Sequence, residues 1–138
     1  MSDNGFVNLS NQLAECKIAL WGGNIVSYRP KDEEHDIFWL GDLNKFDNVQ
    51  AIRGGVPVCW PRVAEEKLNG SLPRHGFARI SGWNLQKVLV DEKRMEAELS
   101  LLPDAKFNVR ASAVLSIRIS DKLEYRLETI NDGNETFE

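Results

Sequence analysis

Leu115-Ser116-Ile117-Arg118-Ile119-Ser120-Asp121-Lys122-Leu123-Glu124-Tyr125-Arg126-Leu127-Glu128-Thr129 alternates apolar and polar residues on both sides of a short turn. A period of two puts Leu115, Ile117 and Ile119 on one face and Ser116 and Arg118 on the other, which is the pattern of a half-buried strand. Two such runs joined by Ser120-Asp121-Lys122 read as an antiparallel hairpin. Working towards the N-terminus, Met95, Ala97, Leu99 and Leu101 alternate with Glu96, Glu98 and Ser100. Asp91-Glu92-Lys93 then links that run to a strand through Leu85, Val88 and Val90. In the first third, residues 15–20 and 24–28 flank the turn signal Gly22-Gly23, and Ile37-Phe38-Trp39-Leu40 is a short apolar run ended by Gly41-Asp42. Towards the C-terminus, Asp132-Gly133 signals a turn and Thr136-Phe137-Glu138 starts to alternate again, so the pattern expects a further element. No window shows a sustained helical stripe; Val63 to Leu68 allows one helical turn at most. The chain reads as all-β, an antiparallel sandwich or barrel of short strands. Without repeats, low-complexity tracts or linkers, residues 1–138 read as a single domain.

Composition narrows the possibilities further. The 138 residues carry 17 Lys plus Arg and 21 Asp plus Glu, a formal net charge of −4, with 42% hydrophobic and 28% charged residues. That is the range of an ordinary globular domain, and a chain of this length should bury roughly 68–70% of its unfolded surface. No apolar run is long enough to span a bilayer, and the polar start MSDNGFVNLSNQ does not resemble an export signal, so a cytoplasmic location is expected. Cys16 and Cys59 cannot build a disulfide framework or a CxxC zinc site and are expected as free, buried thiols. A net-acidic chain is a poor general partner for nucleic acid.

The average hides a local reversal of charge. From Arg53 to Arg79 lie Arg53, Arg62, Lys67, Arg74 and Arg79 against Glu65 and Glu66, a local +3 that leaves −7 for the remainder. The same stretch holds Pro57, Pro61, Pro73, Gly54, Gly55, Gly70 and Gly76. A stiff, glycine-punctuated cationic segment suits a small anion, although an irregular connection that happens to hold arginines has the same composition. Two parts of it stand out: AIRGGVPVCWP (51–61) and LPRHGFAR (72–79). Gly54 and Gly55 would let a ligand come close to the backbone beside Arg53. His75 and Arg79, four residues apart around Gly76, could face one ligand. A guanidinium matches phosphate or paired sugar hydroxyls with two hydrogen bonds, and an imidazole exchanges protons near neutral pH.

These two motifs, with Trp83 following, resemble the aldose 1-epimerase superfamily, specifically its hexose-6-phosphate (glucose-6-phosphate) 1-epimerase branch. The resemblance extends through GGNIVSYRP, HDIFWLG and LEYRLETINDGNETFE, and so covers the chain in order as the N-terminal half of the family. It implies a galactose mutarotase-like β-supersandwich and an isomerase that interconverts the α and β anomers of a sugar phosphate. It implies no metal or redox cofactor, since positioned proton transfers can each supply about 10²–10⁴-fold. Arg53 and Arg79 take the place of the family's substrate-binding arginines, and Arg74 stands where a glutamine is common. The family's general-acid histidine, substrate-binding aspartate and general-base glutamate are expected beyond Glu138, so the chain on its own is expected to lack the catalytic pair.

Within the chain, His75 is the candidate catalytic or substrate-lining histidine, and Arg53, Arg74, His75 and Arg79 are the candidate substrate-binding residues. His35, in a charged loop, reads as solvated. Trp60 and Trp83 read as core residues or as the floor of a sugar pocket. Asp36 and Asp42 are possible carboxylate partners that no spacing ties to His75. Three functions compete: a hexose-6-phosphate epimerase; a phosphosugar- or carbohydrate-binding β domain without turnover; and a self-associating domain that forms a homodimer through an open sheet edge.

Overall fold

The computed structural model describes residues 2–3, 5–64 and 72–134. Eight strands form two four-stranded antiparallel sheets in which spatial order follows chain order. The first sheet contains β1 (Ser2–Asp3), β2 (Phe6–Ser10), β3 (Ala14–Ala19) and β4 (Asn24–Pro30). The second contains β5 (Asn84–Val90), β6 (Met95–Leu101), β7 (Ala111–Ile119) and β8 (Leu123–Asn131). Two one-turn 3₁₀ segments, Ala78–Ile80 and Ala105–Phe107, are the only helix among the described residues. The all-β antiparallel class read from the sequence is the one adopted. No helix of the described residues is long and apolar enough to cross a membrane.

Alternation builds the core directly. Ala111, Ala113, Leu115, Ile117 and Ile119 of β7 are all buried, with partly or fully exposed residues between them. Their neighbours in register are Met95, Ala97, Leu99 and Leu101 on one side and Leu123, Tyr125 and Leu127 on the other. This face packs with Val7, Leu9, Cys16, Ile18, Ile25 and Tyr28 of the first sheet in one cluster. Each large aliphatic side chain buried there contributes about 1.5–3 kcal/mol. The sheets are also tied at one end, where Asn11 and Gln12 donate to the Asp91 and Glu92 carbonyls at 2.8 and 3.0 Å.

The structure refines several sequence expectations. The strand through Leu85, Val88 and Val90 contains a bulge at Gln86: Leu85 pairs with Leu99 and Lys87 with Glu98. The extra residue explains the spacing of three and then two, and it puts Val88 and Val90 opposite Ala97 and Met95. β5 is an edge strand, so these valines remain 39% and 45% exposed. β2 is a strand that the polar reading of the N-terminus overlooked; the alternation of Val7 and Leu9 with Asn8 and Ser10 marks it. Residues 37–40 form no regular strand, only a bridge from Leu40 to Gly54. Val63 and Ala64 form a bend rather than helix; most of the possible turn at 63–68, like the alternation at 136–138, lies outside the described residues.

Candidate functional site

The Arg53 segment is tied to β4 of the first sheet by one backbone bridge, the Val56 N–H donating to the Ile25 carbonyl (3.0 Å), and otherwise by side chains. Residues 39–41 run antiparallel to 53–55, with the Gly41 N–H donating to the Arg53 carbonyl (2.9 Å) and the Gly55 N–H to the Trp39 carbonyl (2.8 Å). Alternation then divides the segment. Ile52 and Leu40 turn into a small second core with Ala19 and Val26, whereas Arg53 takes the opposite, exposed face. The Asn44 amide brackets Arg53, accepting from its N–H (2.8 Å) and donating to its carbonyl (2.9 Å). Asn24, on β4 and buried, donates to the Gly54 carbonyl (3.1 Å) and accepts from the Val56 N–H (2.9 Å). Gly54 and Gly55 have positive φ, and a Cβ on either would overlap the Trp39 or Ile25 carbonyl. The close approach these glycines permit is therefore to the protein's own backbone, which corrects the expectation that they clear room for a ligand.

The second motif is seated on the first. Gly76 has φ of +72°, a Cβ there would overlap the Trp60 carbonyl, and the Ala78 N–H donates to that same carbonyl at 3.1 Å. His75, also at positive φ (63°), accepts the Ala64 N–H on Nδ1 at 3.0 Å. With Nδ1 an acceptor, the neutral ring carries its proton on Nε2. Arg79 Nη2 donates to the Arg74 carbonyl at 2.8 Å, while its Nε is buried and has no hydrogen-bond partner.

Arg53, Arg74, His75 and Arg79 all line one cleft of about 530 Å³, and no acidic side chain is among its described lining residues. The other aromatic and acidic candidates lie elsewhere. Trp60 and Trp83 are both buried in the main core, Trp60 edge-on to Phe77 and Trp83 donating to the Ala78 carbonyl at 3.0 Å. Neither floors the cleft. His35 is exposed, as its charged surroundings suggest. Asp36 is a structural carboxylate that accepts from Ser27 Oγ (2.5 Å) and the Tyr28 and Phe38 N–H groups (3.1 and 2.8 Å). Asp42 is exposed and does not line the cleft. Both cysteines are free thiols: Cys59 is half-buried, and burial with a smaller push from Asp36 moves the Cys16 thiol up to about 12.

The sequence profile of the aldose 1-epimerase family matches residues 6–137. The chain belongs to the aldose 1-epimerase family. A protein of Escherichia coli (strain K12), named "Putative glucose-6-phosphate 1-epimerase", is 44% identical over 72 residues, which is 52% of this chain and 24% of that protein. A crystal structure of a Salmonella typhimurium protein described as a "putative mutarotase (YeaD)" superposes with a TM-score of 0.82 at 27% identity, covering 91% of this chain and 43% of that one. A galactose mutarotase-like protein from Lactobacillus casei shares the fold at 15% identity, with a TM-score of 0.67 over 95% of this chain and 46% of its own. This chain thus spans half or less of the length of the relatives it matches.

The family motifs named the cleft's charged residues but not what holds them. Asn24, Asn44 and Asp47 fix these loops, and single asparagines and aspartates in a loop carry no periodic signal. Asp47 accepts from the Val49 and Gln50 N–H groups (3.0 and 3.2 Å), and the Gln50 carbonyl in turn accepts from Trp21 Nε1 (2.9 Å). Trp39 lies inside an apolar run whose pattern gives no sign of its direction, yet its side chain is exposed.

Proposed function

We propose that this protein acts as a hexose-6-phosphate 1-epimerase whose cationic cleft holds the phosphosugar while its anomers interconvert. The observation that supports the reading most is the convergence of Arg53, Arg74, His75 and Arg79 on one cleft with no acidic side chain among its described lining residues. Guanidinium groups present parallel N–H donors that fit phosphate oxygens or vicinal hydroxyls, and charge-assisted bonds of this kind are roughly twice as strong as neutral ones. Arg79, which lines the cleft, also has a buried Nε with no hydrogen-bond partner, an unmet donor of the kind found at functional sites.

The reaction needs two proton transfers. An acid protonates the ring oxygen as a base removes the proton of the anomeric hydroxyl; the bond from C1 to the ring oxygen breaks, and an open-chain aldehyde forms. Rotation about C1–C2 and closure in reverse give the other anomer, with atoms and protons balanced. His75 Nε2–H can donate to a substrate oxygen, which suits substrate lining or a supporting role in proton transfer. No described residue of the cleft offers a carboxylate base. That observation favours, as the second reading, a phosphosugar-binding domain without turnover of its own. Both readings place the chain in a reducing cytoplasm, which suits its free thiols.

Anomer-exchange NMR on glucose 6-phosphate, run beside calorimetric binding, separates the two. Exchange above the buffer rate is expected for the epimerase; tight binding with exchange at the buffer rate would select the binding domain. Arg53→Ala and Arg79→Ala should each weaken binding by about 1.5–3 kcal/mol, roughly 10- to 150-fold. Unchanged affinity in both variants would remove this cleft from the function.

A further inference from the structure

We infer that Trp39 is a sugar-ring platform at the rim of the cationic cleft, so that the site distinguishes a phosphate carried on a sugar from inorganic phosphate. The inference rests on the phosphosugar reading of the cleft and adds to it a residue that selects the ligand.

Trp60 and Trp83 are buried and Trp21 is partly buried with its Nε1 bonded to the Gln50 carbonyl; Trp39 is 73% exposed. An indole normally contributes large buried area, and this one stands in water on an ordered backbone beside a cationic cleft. The backbone under it is fixed from three directions. The Trp39 carbonyl accepts the Gly55 N–H, Leu40 is bridged to Gly54 and packs into the second core, and Phe38 is partly buried near Tyr28. The run 37–40 therefore turns its neighbours inward and Trp39 outward.

Trp39 is also on the right face. Residues 39 and 41 share a side of their short ladder, and Gly41 lies opposite Arg53, so the Trp39 indole and the Arg53 stem leave the backbone on the same side. Gly41 confirms the neighbourhood: a Cβ built there would lie 3.2 Å from Trp39 Cη2 and 3.6 Å from Arg53 Cβ. The ring and the arginine flank a bare glycine. Arg53 lines the cleft; Trp39 is not one of its lining residues, but its ring lies beside the Arg53 stem across Gly41. A ligand whose phosphate is drawn to the guanidinium groups can lay the C–H face of its ring on the negative face of the indole. Inorganic phosphate has no such face. Ile37 and Leu43 are exposed nearby in sequence, and a second copy could cover that apolar surface, but the adjoining guanidinium favours an anionic, partly apolar small molecule over an apolar partner.

The test compares glucose 6-phosphate with inorganic phosphate on the whole 138-residue chain, using calorimetry together with acrylamide quenching of tryptophan fluorescence. Glucose 6-phosphate should shield the exposed indole from acrylamide, whereas phosphate at saturation should not. Trp39→Ala should weaken glucose 6-phosphate about fivefold to tenfold and leave phosphate within twofold, with Trp39→Phe recovering most of the loss. Glucose 6-phosphate that binds without shielding, or a loss in Trp39→Ala shared equally by both ligands, overturns the platform and leaves the arginine cleft standing. Shielding that grows with protein concentration in the absence of ligand would mean that a second copy covers the indole, and it also overturns the inference. If the unmodified chain binds neither ligand, the cleft reading and the platform fall together.

Discussion

The sheet β5–β8 and the irregular stretch between β4 and β5 are built on different principles. In the sheet, backbone ladders run through consecutive residues of adjacent strands, and side chains alternate between core and water along β6 and β7. In the stretch that carries the arginines, isolated bridges replace ladders and single side chains close the backbone: Asp36 on Tyr28 and Phe38, Asn44 on Arg53, Asp47 on Val49 and Gln50. Stability is spread over many equivalent contacts in the first region. Geometry in the second depends on a few amides and carboxylates, each of which has no substitute. Substitutions should therefore separate the two properties, with stability lost from the sheets and ligand geometry lost from the loops.

The largest effect should come from the centre of β7. Leu115 is fully buried between Leu99 and Leu127, and Leu115→Ala should cost about 2–5 kcal/mol through lost transfer energy and the cavity left behind. Denaturant titration reads the loss, while affinity for glucose 6-phosphate below the transition should stay near that of the parent chain. An unchanged midpoint with abolished binding would reverse the comparison. Asn24 lies where the two regions meet, a buried amide on β4 that holds the Gly54 carbonyl and the Val56 N–H. Asn24→Ala strands the Gly54 carbonyl, while the Val56 N–H keeps its bond to the Ile25 carbonyl; it should cost about 1–3 kcal/mol, and unlike Leu115→Ala it should also weaken phosphosugar binding in the folded protein. Asn24→Asp sets a buried carboxylate oxygen against the Gly54 carbonyl, so at neutral pH it should be at least as damaging as the alanine variant.

This division also explains what the sequence disclosed. The hairpin of β7 and β8 is readable because each residue's face is set by a local period of two, and Leu115, Ile117 and Ile119 obey it without exception. The bulge at Gln86 is readable afterwards as a break in spacing. The charged members of the cleft were named by two motifs, and the seating of Gly76 and Ala78 on the Trp60 carbonyl gives the physical reason why those motifs occur together. Asn24 and Asn44 were not readable. Their roles come from contacts with Gly54 at a separation of 30 and with Arg53 at 9, and no local pattern encodes such pairs. The direction of each tryptophan was equally hidden: Trp60 and Trp39 both lie in short apolar runs, yet one is core and the other stands in solvent.

The smallest expected effect is a titration, and it separates the regions by pH. N–H donation from Val49 first and Gln50 second holds the Asp47 carboxyl below its usual value, against a weaker opposing push from desolvation. A depressed folded pKa means that the ionised carboxylate favours the folded turn above the ordinary carboxylate value near 4, and that this preference fades as pH falls through the lower folded value. Val49 and Gln50 line the cleft, so acid should loosen its wall before it reaches the ladders. Amide resonances of Val49 and Gln50 followed from pH 7 downward should shift, and their protection relative to the intrinsic exchange rate should fall, below about pH 4, while the Leu115 and Leu99 amides stay protected. Asp47→Asn keeps an oxygen acceptor that does not titrate, so its Val49 and Gln50 amides should lose that acid step. An unchanged step in the variant would assign it to another carboxylate. Glu96 is also held below its ordinary value, chiefly by its hydrogen bond to Lys87 and further by Arg118 and Arg94, but it sits on β6 and should leave the Val49 and Gln50 amides unmoved. Acid would then act on the loop through one backbone-bonded aspartate and on the sheet through surface ion pairs, and only the former would alter the cleft.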